Sequence, residues 1–135
     1  MYEPIRTKSV HTMAAATSSD FPHRSREEEL DIQLAGHLAA LLAATDELRA
    51  LTPSADLDVA AEALAARVAW LRGGVPAARS VSGGGETDAA ALHRRAHALA
   101  GRALVVAASR ADTGSAILAA ERMDAHAHAA VPLSA

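Results

Sequence analysis

Residues 110–112, Arg-Ala-Asp, separate two long apolar patterns and are too few for anything but a tight turn. Before the turn, Leu92, Ala96, Leu99, Ala103 and Val106 recur at alternating steps of four and three. That spacing draws one apolar line down a helix over 88–109. After the turn a second helix is predicted over 113–130, with Asp112 placed to cap it by accepting a bond from a free backbone N–H. Two helices joined so closely must fold back on each other.

A second pair precedes them. Ser25 and Glu28 match a capping box, and Glu27, Glu28 and Glu29 put negative charge in the first helical turn, where it complements the helix dipole. The stripe Leu30, Leu34, Leu38, Leu41, Leu48, widened by Leu42 and Leu51 and interrupted by Thr45, predicts a helix over 26–51. Pro53 disfavours helical geometry at Thr52, so the first helix stops there. A second starts at once over 53–72, with Thr52 as cap and Pro53 at its first position. This helix is apolar on two sides. Leu57, Ala61, Leu64, Val68 and Leu71 form one face, and Val59, Ala63, Ala66 and Trp70 lie nearly opposite. A helix of that kind is sandwiched between neighbours in its own bundle or against another chain. Trp70 is the candidate anchor for a second chain, or it covers the end of its own bundle.

Gly73-Gly74 ends the pattern, and residues 73–86 read as a flexible linker long enough for a reversal or a crossover. Residues 1–25 have no period and read as a disordered arm. The fold expected is therefore all-α, a four-helix bundle of two antiparallel hairpins over 26–131.

Composition narrows the functions open to such a bundle. Alanine supplies 36 of 135 residues and Phe, Tyr and Trp one each. This favours helix but leaves little area to bury per residue, so pairing with a second copy has much to offer. Net charge is −3, Lys8 is the sole lysine, and there is neither a basic footprint nor a stacking platform for nucleic acid. The absence of cysteine excludes disulfides, thiolate catalysis and zinc held by sulfur. No stretch reaches the roughly 20 apolar residues of a membrane span, and no signal-peptide core is seen, so a soluble cytoplasmic protein is expected.

Residues of chemical interest are few. His93 and His97, four apart, share a helix face, and Glu121, Asp124 and His128 share another. Together they are the candidate metal ligands, although paired Glu-x-x-His motifs are lacking. His37 interrupts the leucine stripe of the first helix and is expected as a hydrogen-bonded core histidine. Gly83-Gly84-Gly85 leads to no Lys and follows no strand, so it is no phosphate loop. No catalytic serine constellation is recognisable, and neither an enzyme nor a cofactor is expected.

The segment 96–101, Ala-His-Ala-Leu-Ala-Gly, resembles the His-x-x-Lys-Gly core of histidine phosphotransfer domains, which are helical bundles. The resemblance implies phosphorylation of His97, with Ala100 standing where that family has its Lys. The last two helices, with Gly101, the short turn and Ala120, also loosely resemble a tetratricopeptide hairpin, but no fixed period repeats them. Three readings follow. The first is protein–protein interaction through Val59, Ala63, Ala66 and Trp70, as a homodimer or with another protein. The second is a metal or small-ligand site in the bundle, and the third a phosphoryl relay at His97.

Overall fold

The computed structural model describes residues 25–80 and 85–130, and these form an all-α four-helix bundle. Its helices are α1 (Arg26–Leu51), α2 (Ala55–Leu71), α3 (Ala89–Arg110) and α4 (Thr113–Ala130). The proposed arm, up to residue 24, lies outside the described residues.

Local chemistry sets each boundary. The Ser25 hydroxyl accepts from the Glu28 N–H at 3.1 Å while the Glu28 carboxylate accepts from the Ser25 N–H at 2.8 Å, a complete capping box. The second helix begins later than its Thr-Pro pair suggests. Ser54, not Thr52, is its cap and accepts from the Leu57 N–H at 3.1 Å. Thr52 is engaged at the end of α1, where its N–H and hydroxyl both donate to the Leu48 carbonyl. The turn from α3 to α4 is closed by Ala111 in the left-handed region at φ 60°. The Asp112 N–H donates to the Ala107 carbonyl, and the Asp112 carboxylate accepts from both the N–H and hydroxyl of Ser115.

The core is thin and rich in alanine. From α1 come Leu34, Leu38, Leu41, Leu42 and Leu48, and from α2 Leu57, Ala61, Leu64 and Val68. From α3 and α4 come Leu92, Ala96, Ala100, Ala103, Ala107 and Ala119, nearly all small. Small side chains let helix axes approach closely, so backbone proximity substitutes for side-chain bulk. Leu99 and Val106 of the expected α3 stripe are only half-buried, because Ala100 and Ala107 face inward beside them. Thr45 does not break the α1 stripe, since its buried hydroxyl donates to the Leu41 carbonyl at 2.8 Å. His37 is a correction. It is half-buried at the edge of the stripe rather than in the core, which Leu34, Leu38, Leu41 and Leu42 fill completely.

The helices pack in the order α2, α1, α3, α4, with α2 and α4 touching only sparsely. Ion pairs give their directions. Arg95, early in α3, meets Glu47, late in α1, and Arg110, at the end of α3, meets Asp31, early in α1. So α1 and α3 run antiparallel, and α2, antiparallel to α1, runs parallel to α3. The chain leaving α2 must therefore travel back along the bundle before α3 begins. This is a crossover connection. The connecting stretch is fastened on its way. Arg79 donates two bonds of 3.0 Å to the Asp46 carboxylate, and the Ser80 N–H adds a third at 3.1 Å. Ala77 packs on the main core. Arg79 lies six positions beyond Gly73, and extended chain at about 3.3 Å per residue covers about 20 Å, most of the length of α2.

Candidate functional site

Two places in the bundle carry more than packing. One is a buried polar chain between the start of α2, the start of α3 and the end of α4. The other is the open groove between α2 and α4.

The polar chain begins at Asp56, exposed on the first turn of α2. Its carboxylate accepts from Nη1 of Arg122 on α4 at 3.2 and 3.4 Å. Arg122 is 6% exposed, its Nε is buried without a hydrogen-bond partner, and its Nη2 stands 3.3 Å from Nε2 of His126. His126 is fully buried, and its Nδ1 lies 2.9 Å from Nδ1 of His93 on α3. Proton roles follow from the arginine. A guanidinium only donates, so Nε2 of His126 accepts. The His126 ring proton is then on Nδ1 and donates to His93, whose own proton sits on Nε2. Burial first, and then the positive charge of Arg122, pushes His126 down to about 4 and also lowers His93. At neutral pH the pair is uncharged. It clamps α3 to α4, and Arg122 ties α4 to α2.

The expected metal ligands are not brought together. His93 faces His126, while the Nδ1–H of His97 donates to the Met123 carbonyl oxygen at 2.8 Å. Glu121, Asp124 and His128 lie on the exposed side of α4. The physical reason is the rotation of α4: its inner face carries Ser115, Ala119, Arg122 and His126, spaced four, three and four. Among the described residues no three His, Asp or Glu side chains form a metal-holding group. The Arg122 guanidinium would also repel a cation at the His93–His126 pair. Position 100, where the phosphotransfer resemblance needs a Lys, is a fully buried alanine facing the core. His126 is not among the sequence candidates, because it points roughly the other way from the row of Glu121, Asp124 and His128 and lies near the end of its helix, where helices fray. The signal that finds it is Arg122, four residues earlier and on the same face.

The second place coincides with the outer face of α2. Val59 is 69% exposed and Trp70 65%, Ala66 is exposed, and Ala63 is half-buried. Across from them Ile117 on α4 is 54% exposed. Between the helices lies a groove of about 680 Å³ lined by Ala63, Ala66 and Trp70 on one wall and Gly114, Ile117 and Leu118 on the other, with Arg67 and Glu121. Two smaller hollows adjoin it, one on the far side of Ile117 and one beneath Trp70, next to Asp31 and Arg110. The groove exists because α2 and α4 are tied mainly at its ends. Arg122 reaches Asp56 at one end. At the other, Arg67 lies so close to Gly114 that an added Cβ would come within 2.8 Å of its Nη2. The same guanidinium stands 5.0 Å from the centre of the Trp70 ring, a cation–π contact that holds the indole at the surface. No helix among the described residues is long and apolar enough to cross a membrane. No protein family, curated protein or solved structure matches this chain.

Proposed function

We propose that this chain works by association with protein rather than by catalysis, using the face made by α2 and α4, and that its partner is a second copy of itself. The observation that carries this reading is the groove: Trp70 and Ile117 stand exposed on its walls, Val59 stands exposed further along the same line of α2, and α2 and α4 touch far more sparsely than the pairs α1–α2, α1–α3 and α3–α4. Exposed apolar side chains gathered around one concave strip mark an interaction site.

The face is large enough for such a partner. The 17 residues of α2 extend about 25 Å at about 1.5 Å per residue, and two helices side by side are about 20 Å wide. The projected area is roughly 500 Å², and ridged accessible surface exceeds its projection, approaching the ~800 Å² per partner of a stable interface. Covering about 100–150 Å² of Trp70 supplies about 3 kcal/mol of that association. A pair of bundles joined in this way suits a homo-oligomeric scaffold or regulatory partner in the cytoplasm.

Mass in solution by light scattering tests this, on the wild type and on Trp70→Ala. A wild-type dimer that becomes monomeric in the variant is the expected result. A wild-type monomer over the micromolar range overturns the reading.

A further inference from the structure

The outer line of α2 has a symmetry of its own. Going along the helix it reads Val59, Ala63, Ala66, Trp70: large, small, small, large. The two outer positions and the two inner ones share the same midpoint, between Leu64 and Ala65. We infer that two copies pair by antiparallel contact of their α2 helices about a two-fold axis at that midpoint. Val59 of each copy then packs on Trp70 of the other, and Ala63 meets Ala66. This inference rests on the association proposed above and adds to it a partner geometry.

Three observations converge on it. Size comes first: alanines at the crossing allow the helices to approach closely, while the large residues fill the flanks, as interlocking ridges require. A parallel pairing would instead set Trp70 against Trp70 and Val59 against Val59, overfilling one end and leaving the other thin. Charge comes second. The groove beside this line has a positive end at Arg67, near Gly114, and carries Glu121 seven residues further along α4, about 10 Å away. Neither Arg67 nor Glu121 has an ion-pair partner among the described residues. A two-fold rotation about an axis across the groove turns it end for end, setting the Arg67 end of one copy towards the Glu121 end of the other. Self-complementary surfaces of this kind are what closed two-fold dimers need. Area comes third, since lining up α2 along its full length places α4 of each copy over the other and uses the whole face estimated above.

The cysteine-free chain makes the register directly testable. Val59 and Trp70 are eleven residues apart, so in the antiparallel pair two identical positions lie about 16 Å from each other, beyond the ~7 Å reach of a disulfide. A mixture of V59C and W70C proteins, mildly oxidised, is expected to give the mixed disulfide dimer, while each protein alone gives little. Because W70C removes the anchor, a mixture of A63C and A66C, which keeps Trp70, is run beside it and should cross-link more than either alone. Strong self-cross-linking of V59C and of W70C would establish a parallel pairing and overturn the inference. A wild-type dimer by light scattering that cross-links in neither mixture would overturn this register but leave association standing. A wild-type monomer would overturn both.

Discussion

The buried histidine pair makes the stability of this bundle depend on pH on the acid side of neutrality. His126 is held at about 4 in the folded chain, against 6.5 for an ordinary histidine, because burial and then the Arg122 charge disfavour its cation. The folded pKa lies below the unfolded one, so the unfolded state binds more protons as pH falls. The neutral ring's advantage is fully present above 6.5 and is lost progressively between 6.5 and 4. Below 4 the loss from His126 approaches 3 kcal/mol, and at pH 5.0 it has reached about 2 kcal/mol. His93 is shifted in the same direction and adds to it. Asp46 acts lower. Burial raises its pKa, but the bonds from Arg79, the Ser80 N–H and Arg49 outweigh that and hold it below 3.8, so its contribution is present above 3.8 and lost only beneath it. The assay is urea unfolding followed by circular dichroism at pH 7.5 and 5.0, at one protein concentration. With a slope near 1–2 kcal/mol per molar urea, a loss of about 2 kcal/mol lowers the midpoint by about 1–2 M. His126→Gln keeps an amide oxygen for Arg122 and an amide N–H for His93 but cannot be protonated. Its midpoint should move by less than half as much over the same interval. An equal shift in the variant would show that the pH dependence arises elsewhere and refute the reasoning.

Other expectations follow from single contacts. Ala111→Gly relieves a non-glycine residue in the left-handed region and should stabilise the bundle by about 0.5–1 kcal/mol, read as a rise of a few degrees in Tm. Arg79→Ala removes two of the bonds to buried Asp46 and should cost about 1–2 kcal/mol, with faster amide exchange concentrated in residues 75–80. Unchanged exchange there would mean that the crossover is held by something else. Gly114→Ala adds a Cβ where Arg67 now lies, and only the tip of that flexible side chain has to move. Helix propensity gains up to about 1 kcal/mol, so stability should hold or rise while Arg67 swings off the indole and Trp70 fluorescence changes.

How far the sequence discloses this structure depends on contrast between neighbouring residues. Leucines set among polar residues mark the inner face of α1, and the two faces of α2 separate because Leu57, Leu64 and Val68 lie opposite Val59 and Trp70. In α3 and α4 alanine stands on every side, so periodicity fixes the helix but says little about its rotation. The inner face of α3 is turned slightly from the expected stripe, and on α4 the row of Glu121, Asp124 and His128, a candidate metal face in the sequence, lies outside. Rotation was settled by a charge that has no place in an apolar pattern, Arg122. Its guanidinium spans from Asp56 to His126, and the rest of α4 follows from that anchor. The crossover is open for a similar reason: the ion pairs that set α3 antiparallel to α1, and the Arg79–Asp46 contact between residues 33 apart, show which way the linker travels.

These cases share a physical cause. An alanine surface offers nearly equal packing at several rotations and shifts, because each small side chain fits each small hollow about as well as the next. Apolar burial stabilises such a bundle but chooses poorly among its registers. Arginine supplies the choice. Arg49 joins α1 to α2 through Asp58, Arg95 and Arg110 join α3 to α1 near its two ends, Arg122 joins α4 to α2, and Arg79 fixes the crossover. Exposed pairs of this sort add little net stability, but a wrong register would strand Arg122 or Asp46 without its partner inside the protein, at a cost of several kcal/mol. The same division of labour extends to the open face. There the alanines of α2 would permit close approach, and Arg67 and Glu121, without ion-pair partners among the described residues, would favour the proposed orientation of a second copy over its reverse.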